Sequence, residues 1–184
     1  MRVLSLLLLL VVFLFSCTPR GGTKVQIPPT LRADNIPKPF VGRILFGTDG
    51  GIPFKYYPKG DRVVFPLLYV GFIYYKNRTL GFGKYKLTLP LELWRVLKHR
   101  LVFPNYTVLK TDNGYEIDSS KGNVRVELYT DRFFRPLKAE ICDQSGCFDV
   151  SYRGSLVDIK AYGVDIYFYV PKGAQEQRQP QRRG

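Results

Sequence analysis

The sequence predicts a mainly β fold, an α+β domain in which an antiparallel sheet carries one short packed helix. Two observations predict it. Four runs between residues 123 and 170 alternate apolar and polar side chains with a period of two, which is typical of strands with one buried face. Turn-forming residues punctuate the chain, among them Asn113-Gly114, a favoured pair for a type I′ hairpin turn. Together these features indicate antiparallel strands.

Each of the four runs places its apolar residues on one strand face. The predicted inward residues are Val124, Val126 and Leu128; Leu137, Ala139 and Ile141; Phe148, Val150 and Tyr152; and Ile166, Phe168 and Val170. Hydrophobic residues make up 45% and aromatic residues 15% of the 184-residue chain. A sizeable core can therefore form around this face.

One segment breaks the strand pattern and predicts a helix over residues 90–101. Its apolar stripe consists of Leu91, Trp94, Leu97 and Leu101. These residues recur at spacings of three, three and four, which places them on one side of a helix. Pro90 suits the first helical position.

The run from Val63 to Tyr75 is apolar on both strand faces, and Pro66 divides it. It is too short to span a bilayer, which takes about 20 residues. A strand buried on both faces needs cover on both faces. The predicted helix can supply one cover, and a second sheet layer, more helix or a ligand must supply the other. One strand face carries Leu68, Val70, Phe72 and Tyr74.

Residues 1–16 are predicted to be a lipoprotein signal peptide. Arg2 precedes an apolar run over residues 4–15 that suits a secretory signal. The run ends in Leu14-Phe15-Ser16-Cys17, which resembles the bacterial lipobox. That resemblance implies cleavage before Cys17 and acylation of both its sulfur and its new amine. An ordinary signal peptide with an incidental Cys and an uncleaved anchor are the open alternatives.

Lipidation at Cys17 places the protein in the bacterial cell envelope. Each buried CH₂ contributes about 0.8 kcal/mol, so anchoring by more than one acyl chain is stable. Thr18 follows the lipidated Cys. In enterobacterial lipoproteins Asp at that position favours retention in the inner membrane, so Thr18 favours the outer membrane, facing the periplasm.

The rest of the chain divides into three parts. Residues 17–39 are rich in Pro and Gly and are predicted to be an extended, lipid-anchored tether. Residues 40–171 form the β-rich domain. Residues 172–184, a basic stretch without core-forming side chains, are predicted to be disordered.

Cys142 and Cys147 are predicted to form a disulfide. They flank four residues and lie on the polar faces of consecutive strands, so closure of a hairpin sets them opposite each other. An exported protein permits oxidation. Closing so short a loop contributes about 2 kcal/mol. The C-x₄-C spacing argues against a redox-active pair, which is typically C-x-x-C.

No motif indicates catalysis, a cofactor or a metal site, so we predict that the protein is not an enzyme. The sequence lacks the nucleophile, zinc, phosphate and dinucleotide motifs that would suggest one. The single His, His99, lies between Lys98 and Arg100 on the charged side of the predicted helix. We interpret it as an exposed helix residue.

The net charge of the chain is +13. Removal of residues 1–16 takes away Arg2 alone, so the mature chain carries 27 Lys and Arg against 15 Asp and Glu, a net charge of +12. An exported lipoprotein rarely meets nucleic acid. Anionic lipid headgroups, lipopolysaccharide or acidic partners are therefore the expected counterparts, although positive charge can also merely aid solubility.

The pattern Pro-Leu-Lys-Ala-Glu-Ile…Gly-Cys-Phe-Asp-Val-Ser-Tyr over residues 136–152, with a last strand ending at Pro171, resembles the lipoprotein-carrier family of LolA and LolB. The resemblance implies a curved sheet, an incomplete β-barrel that shelters acyl chains in an apolar concavity. Residues 18–39 lack the long amphipathic helix with which those carriers begin. The expected lining residues are Leu68, Val70, Phe72, Tyr74, Leu91, Trp94 and Leu97.

Two functions are therefore expected of the chain. The first is binding of acyl chains or of a lipidated partner in the concavity. The alternative is a structural or assembly lipoprotein of the same fold without a ligand cavity. An exported hydrolase is a third hypothesis, which a close Asp/Glu pair in a cleft would support.

Overall fold

The computed structural model describes residues 25–45, 50–66 and 73–171. The predicted signal peptide, Cys17 and the basic tail lie outside these residues, as do Leu68, Val70 and Phe72. Within the described ranges no helix is long and apolar enough to cross a membrane.

The prediction of a mainly β fold is confirmed, with one large antiparallel sheet that is not closed into a barrel. The strands of this sheet are β1 (Phe40–Leu45), β2 (Gly51–Tyr57), β3 (Arg62–Val64), β7 (Asn105–Lys110), β8 (Gly114–Lys121), β9 (Val124–Asp131), β10 (Pro136–Asp143), β11 (Gly146–Arg153), β12 (Leu156–Ala161) and β13 (Val164–Tyr169). Their order is β3-β2-β1-β13-β12-β11-β10-β9-β8-β7. The last strand therefore pairs with the first, and β3 and β7 are the two edge strands among the described residues.

Between these edges the chain forms a smaller sheet and then a short helix. The smaller sheet is β4 (Ile73–Lys76), β5 (Thr79–Phe82) and β6 (Tyr85–Thr88), in the order β4-β5-β6. The helix α1 (Leu93–Leu97) follows. Both contribute buried residues to the same core as the inner face of the large sheet. The apolar run from Val63 to Tyr75 begins in β3 of the large sheet and ends in β4 of the small sheet, and its middle lies outside the described residues.

The inner face carries the predicted alternation almost as expected. Every predicted inward residue is buried except two. Ile166 is half-buried and packs against the core, whereas Leu137 is 50% exposed. The prediction for Leu137 is wrong because the register of β9 and β10 shifts between Pro136 and Lys138, a local bulge that removes Leu137 from the inward series.

The helix is shorter than the predicted span of 90–101. It begins at Leu93 and ends at Leu97, and His99 at φ 60° turns the chain away. Beyond the helix the backbone pairs with the N-terminal segment. Val102 N–H donates to the Leu31 carbonyl at 2.9 Å, and Ala33 N–H donates to the Val102 carbonyl at 2.8 Å. These bonds replace the helical ones, while Leu101 stays buried.

The described part of the predicted tether is packed, not extended away from the domain. Pro29–Leu31 form a 3₁₀ turn, and Ile27, Leu31 and Ala33 are buried. The Arg100 guanidinium donates to the Pro29 carbonyl at 2.5 Å, and the Arg95 guanidinium donates to the Ala33 carbonyl. The packed body therefore begins by residue 27, because the three apolar side chains of this segment belong to the core.

The predicted type I′ turn at Asn113-Gly114 is also wrong, because neither residue has the positive φ that such a turn requires. Thr111 N–H instead donates to the Gly114 carbonyl at 3.0 Å, so the turn lies at residues 112–113. Gly114 is the first residue of β8. A Cβ there would overlap the Thr130 carbonyl oxygen, so the close approach of β9 requires glycine at this position.

Candidate functional site

An apolar cavity of about 100 Å³ lies where the small sheet meets one part of the large sheet. Its lining comes from β1, the β12–β13 hairpin and all three strands of the small sheet. The lining residues are Ile44, Ile73, Leu80, Tyr85, Lys86, Leu87, Ala161, Tyr162, Val164 and Ile166.

Strand alternation explains why these side chains converge. In the small sheet the register sets Tyr75 opposite Leu80, and Leu80 opposite Leu87, so one row of side chains faces the large sheet. In the large sheet the β12–β13 pairing sets Ala161 opposite Val164. Two apolar faces therefore meet, and the cavity is the space that their side chains leave unfilled at this junction.

The rim of the cavity is aromatic and cationic. Tyr85 and Tyr162 are 55% and 64% exposed, and Lys86 lies beside Tyr85 in β6. The Lys84 ammonium lies 5.5 Å from the centroid of the Tyr85 ring, and Tyr162 OH donates to the Ser145 carbonyl at 2.8 Å. An apolar interior below an aromatic and cationic rim suits a hydrocarbon chain with an anionic head.

The described residues that were predicted to bind lipid do not line this cavity. Leu91, Trp94 and Leu97 are buried in the packed core. Tyr74 is 39% exposed on the outer face of β4, where its ring lies over Gly81. These four were predicted from a shared apolar strand face and a helix stripe, and such a pattern does not separate a packed side chain from one that faces a space. The lining residue Ala161, being small, gave no signal at all.

A hydrogen-bonded group of two tyrosines and one carboxylate ties the two sheets to the helix. Tyr56 OH and Tyr75 OH both donate to the Asp61 carboxylate, the second at 3.0 Å, and Asp61 adopts φ 47° to reach them. Tyr75 OH in turn accepts the Leu93 N–H at 3.0 Å, at the start of α1. Burial raises the pKa of both tyrosines. Within this group the Tyr56 side chain is fully buried.

His99 is half-buried, not exposed as predicted. Its ring meets the Tyr152 ring edge-on with centroids 4.7 Å apart. Tyr152 is buried and its OH donates to the Val96 carbonyl at 3.2 Å, at the end of α1. Burial raises the pKa of Tyr152. The two tyrosine hydroxyls thus hold both ends of a five-residue helix: Tyr75 bonds to Leu93 at its start and Tyr152 bonds to Val96 near its end.

Cys142 and Cys147 lie directly opposite each other in the β10–β11 hairpin, as the predicted pairing requires. Their Cα atoms are 4.1 Å apart and their sulfur atoms are at bonding distance. The Glu140 carboxylate lies close to both sulfurs. Sulfurs that are bonded to each other cannot act as thiolate ligands, so this trio does not form a metal site while the disulfide is intact.

Comparison with protein-family models, with curated proteins and with solved structures gave no match for this chain. Its own sequence and geometry are therefore the basis for assigning a function.

Proposed function

We propose that the chain is a lipid-anchored envelope lipoprotein that binds acyl chains, of a free lipid or of a lipidated partner, between its two sheets. The observation that supports this most directly is the apolar cavity at the junction of the sheets. Apolar surface that is open to solvent costs free energy, which a hydrocarbon chain lowers by covering that surface.

The size of the cavity sets a condition on the proposal. Pockets for small molecules usually measure roughly 300–1,000 Å³, and this one measures about 100 Å³. It accepts the end of a chain as it stands. A longer stretch requires the small sheet to move away from the large one. Among the described strands no ladder joins the two sheets, so packing must be given up but no strand pairing is broken.

The envelope location follows from the sequence. The lipobox-like segment ending at Cys17 supplies the anchor, and Thr18 favours the outer membrane, facing the periplasm. The mature net charge of +12 favours anionic lipid headgroups or lipopolysaccharide as neighbours. Lys84 and Lys86 lie at the cavity rim, where they can contact the anionic headgroup of a bound lipid.

The alternative is a structural or assembly lipoprotein of the same fold without a functional cavity. Its support is the packing of Leu91, Trp94 and Leu97, which fill much of the inner face with protein. The two functions differ in one measurable property, which is whether lipid stays bound when the protein is purified.

Native mass spectrometry of the chain from Thr18 to Gly184 measures that property. We expect co-purified lipid, and we expect Ile166→Glu to lose it, because a carboxylate on the cavity wall opposes a hydrocarbon chain. The matched control is Tyr167→Glu, one residue along β13, where the side chain points to the outer face. A folded protein with no lipid in the parent chain would contradict acyl binding and favour the assembly function.

Replacing Cys17 with alanine tests the anchor. We expect the variant to remain unprocessed or to leave the membrane fraction, because only Cys17 stands at the end of the lipobox-like segment. Metabolic labelling with a palmitate analogue measures it, with Cys142→Ser/Cys147→Ser as the control that keeps the label. Label retained in Cys17→Ala would contradict the lipoprotein assignment.

A further inference from the structure

The turn between β9 and β10 holds one phenylalanine out in water. Phe133 is 77% exposed, the largest exposed fraction of any large hydrophobic side chain in the described residues. Leu137, a few residues further on, is also exposed. Single exposed hydrophobic side chains are common in proteins. Phe133 differs because the structure of its turn holds it in this exposed position.

The turn is a rigid structure built around Asp131. The Asp131 carboxylate accepts hydrogen bonds from the backbone N–H groups of Phe133 and Arg135, each at 2.8 Å, and from the Arg135 guanidinium at 2.5 Å. Asp131 N–H donates to the Arg135 carbonyl at 3.0 Å, and Phe134 N–H donates to the Asp131 carbonyl at 3.0 Å. The direction in which Phe133 points is therefore fixed.

The turn also holds an unfavourable backbone conformation. Phe134 has φ 59°, which is rare for a bulky side chain and persists only where the surroundings impose it. Its ring stacks on Tyr115 with centroids 4.3 Å apart and ring planes 1° from parallel. One phenylalanine of the pair thus pins the turn to the sheet, and the other is left projecting into solvent.

Two arginines flank the projecting ring, and one of them, Arg135, is ion-paired with Asp131. Arg132 and Arg135 flank Phe133 in the sequence, and the Arg135 guanidinium lies 5.3 Å from the centroid of its ring. Arg132 reaches across to the neighbouring β7–β8 turn, where its guanidinium donates to the Asp112 carbonyl at 3.0 Å. Lys110 lies at the same groove as Arg132. The turn thereby presents an apolar tip beside Arg132, Lys110 and the Asp131–Arg135 ion pair.

We propose that this turn inserts Phe133 into an anionic phospholipid surface, the membrane to which the chain is anchored, with Arg132 on the lipid phosphates. The proposal rests on the lipid anchor at Cys17. Residues 17–24 span at most about 29 Å when fully extended, so the domain is held close to the bilayer. A weak second contact is then sufficient to orient it.

A bilayer fits this tip better than a protein partner does. A stable protein interface takes about 800 Å² from each partner, and one projecting ring offers far less. A bilayer accepts a single aromatic side chain at its interface, and anionic headgroups attract nearby Arg and Lys. The predicted net charge of the mature chain, with Arg132 and Lys110 near the tip, is complementary to that surface.

Tryptophan fluorescence in reconstituted vesicles tests the proposal. The full chain, taken from cell membranes, carries Phe133→Trp and is placed in vesicles of brominated phosphatidylcholine with or without phosphatidylglycerol. Trp94, the one native tryptophan, is 2% exposed and gives a constant background. Bromine on the acyl chains reports a ring that lies ~5–10 Å into the interface. We expect strong quenching at position 133 in the vesicles that contain phosphatidylglycerol.

The control is Tyr169→Trp, an exposed aromatic position on β13, three strands from β10 in the sheet. Quenching at 133 and not at 169 supports the proposal. Protein that floats with the vesicles while position 133 is quenched no more than position 169 overturns it, and a turn facing solvent or a protein partner gives that result. Equal quenching without phosphatidylglycerol overturns the anionic assignment. Loss of flotation overturns the anchor as well, whereas an empty cavity in mass spectrometry leaves this result untouched.

Discussion

Replacing Trp94 with alanine is expected to lower the free energy of unfolding by about 3–5 kcal/mol. The side chain is buried between α1 and the inner face of the large sheet. A helix of five residues is too short to be stable by itself, so its position depends on side chains such as this one. Urea unfolding followed by circular dichroism measures the change.

Tyr85→Ala is the matched control for this change. Tyr85 is an exposed aromatic side chain on the cavity rim, and its loss should change stability by no more than about 0.5 kcal/mol. The pair separates two roles that the sequence alone could not. If Trp94→Ala kept its stability but lost bound lipid, Trp94 would line a lipid site and the packed-core interpretation would be wrong.

The strands were predictable because alternation is a local property. A strand with one buried face must repeat every two residues, and β9, β11 and β13 do so without interruption. The hairpin pairing of Cys142 with Cys147 follows from the same period. The exception at Leu137 comes from a register shift, which depends on the neighbouring strand and leaves no mark in the sequence of β10 itself.

The ends of the helix and the packing of the N-terminal segment were not predictable, because both depend on residues distant in the chain. The stripe of the predicted helix continues to Leu101, yet the backbone beyond Lys98 pairs with residues 31–33. Likewise, Ile27 and Leu31 look isolated among prolines until the chain at Val102 is placed beside them. The helix propensity of residues 98–101 was outweighed by backbone hydrogen bonds between residues 31–33 and Val102, which form only when the whole chain is folded.

The candidate site was missed for a related reason. The sequence search favoured the largest apolar side chains, and these pack the core most completely. A cavity forms where packing is incomplete, at the contact of two separate sheets, and its wall includes a residue as small as Ala161. Position between layers, not hydrophobicity, identifies such a site.

Above pH 10 three buried tyrosines should together lower stability by about 4 kcal/mol for each pH unit. Burial is the largest cause that raises the pKa values of Tyr56, Tyr75 and Tyr152 above the ordinary value of 10.0. In the unfolded chain these three lose their protons near pH 10, while in the folded protein they keep them. The unfolded state then binds three fewer protons, so rising pH favours unfolding, and each proton contributes about 1.4 kcal/mol per pH unit.

Urea unfolding between pH 9 and pH 11.5 measures that slope. Stability contributed by these groups is fully present below the unfolded pKa, so the curve should be flat near pH 9 and fall beyond 10. Tyr152→Phe removes one of the three groups, the one whose hydroxyl donates to the Val96 carbonyl, and should reduce the slope by about a third. An unchanged slope in Tyr152→Phe would mean that this hydroxyl titrates in the folded protein, and that the contact between β11 and α1 is open to water.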